Sequence, residues 1–137
     1  MSNNQEEVLH DMIQELTDWL VSDDEIKWLK EAGAVKSFIR PESLAADVTS
    51  LTVAPIGPPA QEAMGSNQSL AKKFIYQINV EAAERMTAKK LQRKVEIILL
   101  NHGFVQMSDG LDEYFEKTNR YADARRYVGY SPLYENY

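Results

Sequence analysis

Cysteine is absent from this sequence, which excludes disulfide bonds, thiolate metal sites and a cysteine nucleophile. Long apolar runs are absent as well, since none approaches the roughly 18 residues that are needed to span a bilayer. Residues 1–7 lack the basic segment that opens a signal peptide. These absences predict a soluble protein that is made and folded in a cytoplasm, as one domain of 137 residues.

Catalytic and metal-binding motifs are missing too. There is no phosphate-binding loop, no Gly-x-Ser-x-Gly turn and no Gly-x-Gly-x-x-Gly fingerprint. His10 and His102 lack the spacing of a metal pair, and the acidic run 109–113 lacks the alternating ligands of a calcium loop. We therefore predict no catalytic, cofactor-binding or metal-binding residue and a protein that is not an enzyme. A small enzyme that uses Asp and Glu chemistry stays open as one alternative class.

The strongest structural signal is a change of hydrophobic period between Lys72 and Gly103. The segment 72–82 alternates apolar and mostly polar residues, which predicts a half-buried strand. The segment 87–102 places its apolar residues on one stripe, which predicts an amphipathic helix. Gly103 is placed to end this helix in a left-handed conformation, with Phe104 as its apolar contact.

The rest of the chain predicts further helices and strands around this unit. A first helix is expected to start at a cap on Asn4, and a short second helix at Ser22–Glu25, ending at Ala32–Gly33. The predicted fold is α+β, an antiparallel or mixed sheet with two main helices packed on one face and a short additional helix. Further strands are expected at 35–40, 49–56, 104–107, around 113–117 and at 120–130. The expected shared core is Phe74, Tyr76, Ile78, Val80, Leu91, Val95, Ile98 and Leu99 with Val8, Met12, Leu16 and Trp19.

Two segments are expected to lie outside this packed structure. The domain is predicted to span residues 1–130, with a long mobile loop at 57–71 and a C-terminal tail at 131–137. Loops of such length are commonly functional or disordered, so we expect this one to order against a partner. Its candidate docking residues are Gly57, Pro58, Pro59, Met64 and Gly65.

Charge is distributed unevenly along the chain, which has a net charge of −6. Residues 1–31 contain nine acids and two bases, whereas residues 72–96 contain seven bases and three acids. Two solvated helix faces would explain this split, and so would head-to-tail attraction between copies of the chain. An acidic total argues against a general nucleic-acid binder. The candidate contact residues on the basic helix are Lys89, Lys90, Arg93 and Lys94.

Tyrosine is concentrated near the C-terminus, where five of the seven tyrosines fall within residues 121–137. Tyr and Arg are enriched in protein–protein interfaces. Tyr121 and Tyr127 fall in a predicted strand, where we expect roughly half of the tyrosines to pack inward. The other candidate interface residues of this region are Arg125, Arg126, Tyr130, Tyr134 and Tyr137.

The order of these segments resembles the small tail-completion proteins of siphophages, including the tail terminators and related minor capsid or head–tail joining proteins. The resemblance covers roughly Gln5 to Tyr130. It rests on pattern-level features: an acidic opening helix, the segment from Phe38 to Leu44, the long loop before the strand that begins at Lys73, the helix that ends at Leu100–Phe104, and a closing strand with Arg125-Arg126-Tyr127. The short helix at 22–32 and the tyrosine-rich tail have no match in that group.

The resemblance implies a structural virion protein rather than a catalyst. Such a protein would form a ring, commonly a hexamer, at the head-proximal end of the tail, after assembly in the host cytoplasm. The ring would end tail-tube polymerisation and contact the tail-tube protein and the head–tail connector protein, while DNA passes an acidic lumen without specific binding. No membrane contact is implied. The alternative is a small non-enzymatic nucleic-acid-binding or regulatory module that uses the basic helix 87–102.

Overall fold

A computed structural model describes residues 8–65 and 68–137, and for residues 62–65 and 68–70 it describes the backbone alone. The described chain contains three helices and six strands, so the predicted α+β class is confirmed. The helices are α1 (Met12–Val21), α2 (Asp24–Glu31) and α3 (Arg85–Asn101). The strands are β1 (Val35–Ser37), β2 (Ser50–Pro55), β3 (Ala60–Gly65), β4 (Gln68–Ala82), β5 (Val105–Phe115) and β6 (Arg120–Tyr130).

The sheet is built around β4, the longest strand. The strand order is β1-β2-β4-β6-β5, with β1 parallel to β2 and every other pairing antiparallel. On the edge of β4 opposite β6, β2 pairs with residues 76–81 and β3 continues along residues 68–73. The sheet is therefore mixed, and β3 with the start of β4 forms a hairpin arm beyond its five-strand body.

The helices cover one face of this sheet, and the core lies between them. Leu91, Val95 and Leu99 project from α3 towards β4 and β6, and each is at most 1% exposed. The predicted core is confirmed for its strand residues, for Met12 and Leu16, and for these three leucine and valine positions. Ile98 and Trp19 are partly buried against that core. The prediction that Val8 belongs to the core is wrong, because 66% of its surface is exposed.

The error at Val8 follows from where the first helix begins. Residues 8–11 are not helical, and the carboxylate of Asp11 caps α1 by accepting hydrogen bonds from the N–H groups of Ile13 and Gln14. The predicted start at Asn4 is therefore wrong, although Asn4 itself lies outside the described residues. The second helix is capped by Asp23 rather than Ser22, because the Asp23 carboxylate accepts from the N–H groups at the helix start.

The predicted end of the long helix is confirmed. Gly103 has a φ of 83°, and its N–H donates to the Leu100 carbonyl at 3.0 Å. Phe104 is 1% exposed and its N–H donates to the Leu99 carbonyl. The left-handed glycine therefore folds Phe104 back under the helix, where it joins the core.

One predicted loop and one pair of predicted strands need correction. The predicted loop at 57–71 is largely the hairpin of β3 and early β4, because Ala60 to Gly65 pair antiparallel with Gln68 to Lys73. The predicted strands at 104–107 and 113–117 are one strand, β5, with a register shift between Gln106 and Gly110. The strand predicted over 120–130 is confirmed with the same bounds. None of the helices in the described part of the chain is long and apolar enough to cross a membrane.

Candidate assembly surface

Lys89, predicted to belong to a basic contact surface, lies instead within an ion-pair network between α3 and the β5–β6 hairpin. Its Nζ atom contacts the carboxylate of Asp112 and lies 2.6 Å from the carboxylate of Asp123. Asp123 is 2% exposed and also accepts from Nε of Arg125 at 3.0 Å. These contacts use both cations within the subunit.

The hydrogen bonds of this network stabilise the ionised forms of its side chains. Burial opposes the charge on Lys89, but the hydrogen bonds to Asp112 and Asp123 raise its pKa above the ordinary value. The bond from Lys89 lowers the pKa of Asp112, and the bond to Asp123 raises the pKa of Arg125. Because Lys89, Asp112 and Arg125 each favour the ionised form, these contacts hold α3 against the β5–β6 hairpin over the ordinary pH range.

The acidic and basic halves of the sequence also meet within one subunit. Lys94 of α3 lies 2.7 Å from the carboxylate of Glu25 and 3.4 Å from that of Asp23, at the start of α2. The hydrogen bond to Glu25 raises the pKa of Lys94. Part of the charge that could have attracted a neighbouring copy is therefore neutralised inside the chain.

Two of the four candidate residues on α3 remain available on the outer surface. Arg93 pairs with Glu96 at 2.6 Å, but its side chain is 67% exposed. Lys90 is exposed and has no hydrogen-bond or ion-pair partner among the described residues. Arg126 lies on the opposite face of the sheet, where it donates to Gln77 at 3.1 Å and pairs with Asp109 at 3.0 Å. The predicted basic residues thus do not form one continuous surface.

The C-terminal tail is attached to the rest of the subunit at both of its ends. Ser131 is 6% exposed and exchanges two hydrogen bonds with the backbone of Lys72, each at 2.8 Å. At the other end, Nζ of Lys72 donates to the backbone oxygen of Tyr137 at 2.6 Å, and the Tyr137 hydroxyl donates to Glu15 at 2.9 Å. The Tyr137 ring packs edge-on against Phe74. The expectation that Tyr137 lies outside the packed structure is therefore wrong.

The N-terminal segment strengthens this attachment. Leu9 forms a bridge with Asn136, and the imidazole Nε2 of His10 lies 2.9 Å from the Glu135 carboxylate. Burial and the nearby Glu15 carboxylate raise the pKa of Tyr137 to about 12. His102, at the end of α3, stacks on Trp19 with ring centroids 4.2 Å apart. Neither histidine was expected to have these contacts, since both partners are distant in sequence.

Between its two attachments the tail exposes apolar side chains. Tyr134 is 78% exposed and has a φ of 64°, a left-handed conformation that is unfavourable for an aromatic residue. Leu133 and the adjacent strand residue Tyr130 are 56% and 55% exposed. The candidate interface residues Tyr130 and Tyr134 therefore lie on the surface, whereas Tyr127 is fully buried and Tyr137 is docked on its own subunit.

The candidate docking residues are divided between a turn and the hairpin arm. Gly57 has a φ of 75° in the turn after β2, and the exposed Pro58 and Pro59 follow it. Met64 and Gly65 lie at the end of β3, next to the tip of the arm. The structure therefore divides these five residues: three lie in the turn that precedes β3, and two lie in the paired strand β3, rather than all in one long loop.

Sequence reasoning missed a cavity on the sheet face that the helices leave open. Arg40 fixes the loop above it by donating to the Ser50 hydroxyl and to the carbonyls of Leu44, Ala45 and Val48. The resulting cavity of about 540 Å³ has the Arg120–Glu81 ion pair, 3.1 Å long, in its wall. Phe38 and Ile39 also line it and are mostly exposed. The exposed pair of apolar residues before Arg40-Pro41 was the available sequence signal.

Comparison with known proteins identifies a related fold. No family model matches the chain, and no curated protein matches it. Among solved structures, the fold is similar to a chain in the virion of a native gene transfer agent particle, with a TM-score of 0.57 and 18% sequence identity. The similarity covers 85% of this chain and 92% of that chain. The two chains therefore share their fold over nearly their whole lengths.

Proposed function

We propose that this chain is a structural virion protein that forms a ring, of six copies, at the head-proximal end of a phage-type tail. In this role the ring ends tail-tube polymerisation and joins the tail to the head connector, and DNA passes through its lumen without specific binding. The observation that supports the proposal most is the fold shared with a virion chain over 92% of that chain's length.

The surface chemistry favours assembly over the other two classes. Among the described residues, no group of three or more His, Asp or Glu side chains is arranged to hold a metal ion. On the basic helix, Lys89 and Lys94 are committed to carboxylates of their own subunit, which leaves few cations to neutralise nucleic-acid phosphates. By contrast, exposed apolar side chains lie at the tail and around the open-face cavity, as expected for a protein that is buried by neighbours.

The hairpin arm is the proposed contact with the tail-tube or connector protein. It is formed by only two strands, and β3 pairs with β4 alone, so the outer edge of β3 has no further strand beside it within the described residues. Such an edge is available for pairing with a partner. We expect fast amide exchange in β3, over residues 60–65, in the isolated protein and protection after assembly.

Native mass spectrometry over a range of protein concentrations tests the ring, with electron microscopy of the same samples. We expect a closed oligomer, and rings that cap purified tail tubes when the tube protein is present. An intact protein that stays monomeric at every concentration and with the tube protein would contradict the proposal. Tight, salt-sensitive DNA binding by such a monomer would favour the regulatory alternative.

A further inference from the structure

An exposed apolar projection and an apolar-walled groove lie at opposite ends of the sheet. The projection, here the terminal knob, consists of Tyr130, Leu133 and Tyr134. The groove, here the end groove, lies on the open face between the loop 38–46 and the β5–β6 turn. Along β4, the knob end at Lys73 and the groove end at Glu81 are about 26 Å apart at 3.3 Å per residue.

The tail is attached to the subunit on both sides of the terminal knob, while the knob side chains themselves are mostly exposed. Ser131 and Tyr137 fix the tail on either side of it. Tyr134 keeps a positive φ and 78% exposure, so its strained backbone is not compensated by burial of its own ring. Because its backbone is already fixed, this residue binds a partner with less further loss of conformational freedom than a residue in a free tail.

The end groove has the same combination of strain and exposed apolar surface. Phe38 has a φ of 71° and is 65% exposed, and the Ile39 N–H donates to the Ser37 carbonyl in a tight turn around it. A second cavity of about 640 Å³ adjoins the first, since both are lined by Glu81, Thr118 and Arg120. Tyr114 and Phe115 line this second cavity. The groove thus has exposed apolar walls on both sides of the Arg120–Glu81 pair.

We infer that the terminal knob of one copy docks in the end groove of a second copy, which rests on the proposed function as a ring. A contact between two different surfaces of the same chain is heterologous, and repetition closes it into a ring when the rotation allows. Charge supports a second copy as the occupant, because Lys73 beside Tyr130 has no ion-pair partner among the described residues. At the groove, two acids without such a partner, Glu42 and Glu116, outnumber the one unpaired cation, Lys117. The knob thus has an unpaired cation where the groove has an excess of unpaired acid.

Glycine substitutions at the two strained positions test the contact without removing buried groups. Tyr134→Gly combined with Leu133→Ser defines the knob variant. Phe38→Gly combined with Ile39→Ser defines the groove variant, since Ile39 is 74% exposed. Because glycine adopts positive φ readily, we expect both to fold and to melt near the temperature of the intact protein. Each should raise the dissociation constant for self-association about tenfold or more, as measured by sedimentation and native mass spectrometry.

Mixing the two variants gives the decisive measurement. A groove variant has an intact knob and a knob variant an intact groove, so the mixture should form dimers with one working contact and no rings. Leu100→Ser is the control, since Leu100 on α3 is 57% exposed and lies in neither surface. If Tyr134→Gly impairs folding, Tyr134→Asn replaces it, because asparagine also tolerates positive φ.

Three outcomes overturn the inference. Variants that form the same rings as the intact protein would exclude this contact while leaving the proposed function in place. Variants that lose the rings but form no mixed dimer would show that the two surfaces do not bind each other. An intact protein that forms no oligomer would contradict the inference and the ring together.

Discussion

The basic helix α3 and the C-terminal tail were both predicted to contact a neighbouring subunit, but their side chains differ in how far they are already bound within their own subunit. On α3, Lys89 and Lys94 are bound to carboxylates of the same subunit. In the tail, Ser131 and Tyr137 are docked, and the turn between them exposes Leu133 and Tyr134. A cluster of charge in a sequence therefore does not identify an available surface, because folding supplies partners from distant segments.

The inner side of α3 gives the largest expected effect. Leu91→Ala should lower the free energy of unfolding by about 2–5 kcal/mol, because Leu91 is 1% exposed and the change leaves a cavity. Ile98→Ala should cost less, since Ile98 is only partly buried. Urea unfolding followed by circular dichroism measures both. Losses below about half a kcal/mol at Leu91 would show that this stripe is not packed as described.

Removing the tail should have the next largest effect. Truncation after Tyr130 removes the hydrogen bonds of Ser131 and uncovers Phe74, and we expect it to cost roughly 2–3 kcal/mol. A tail that lay outside the packed structure, as expected from the sequence, would leave the stability unchanged when it is removed. Thermal melts of the truncated and intact proteins decide between the two expectations, since an unchanged melting temperature would restore the earlier one.

The same attachment should respond to alkaline pH. Because the folded state raises the pKa of Tyr137 to about 12, it favours the neutral hydroxyl. The associated stability is therefore fully present below the ordinary tyrosine pKa of about 10 and is lost as pH rises towards 12. Tyr137→Phe removes this titrating group and serves as the control for the truncation. If the difference in stability between the intact protein and Tyr137→Phe did not change with pH, the raised pKa of Tyr137 would be contradicted.

The ion-pair network should contribute less. Lys89→Met leaves Asp123 paired with Arg125, so we expect a loss of about 1–3 kcal/mol. The lowered pKa of Asp112 means that its contribution is present above the ordinary value of 3.8 and is lost as pH falls below it. Unfolding measured between neutral and acid pH should therefore show a shallower acid decline in the variant. Equal slopes would indicate that Lys89 does not determine the ionisation of Asp112.

What could be predicted depended on how local the signal was. The strand 120–130 and the Gly103 helix end were predictable because alternation and a left-handed glycine act within a few residues. The start at Met12 was not, because Asn4 and Asp11 are both plausible caps. The attachment of Tyr137 was out of reach, since Glu15 lies 122 positions away in sequence. The fold class could thus largely be predicted from the sequence. Which charged side chains stay exposed could not, because this depends on the partners that folding brings from distant parts of the chain.

Substitutions on the outer face of α3 should give the smallest effect on stability. They distinguish basic side chains that are free to contact a neighbouring copy from those that are already paired within the subunit. Lys90→Glu with Arg93→Glu removes one exposed pair, Arg93 with Glu96, so the free energy of unfolding should change by less than about 1 kcal/mol. If this face attracts the acidic part of a neighbouring copy, ring formation should weaken, and more so at low salt, where the attraction is least screened. Lys27→Glu with Lys30→Glu on α2 changes the net charge equally at two exposed bases and is the matched control. Sedimentation at low and high salt compares the two double variants. If both lower association alike, the effect arises from net charge alone; if neither does, the remaining bases of α3 are ordinary solvated surface and the contact depends on apolar side chains.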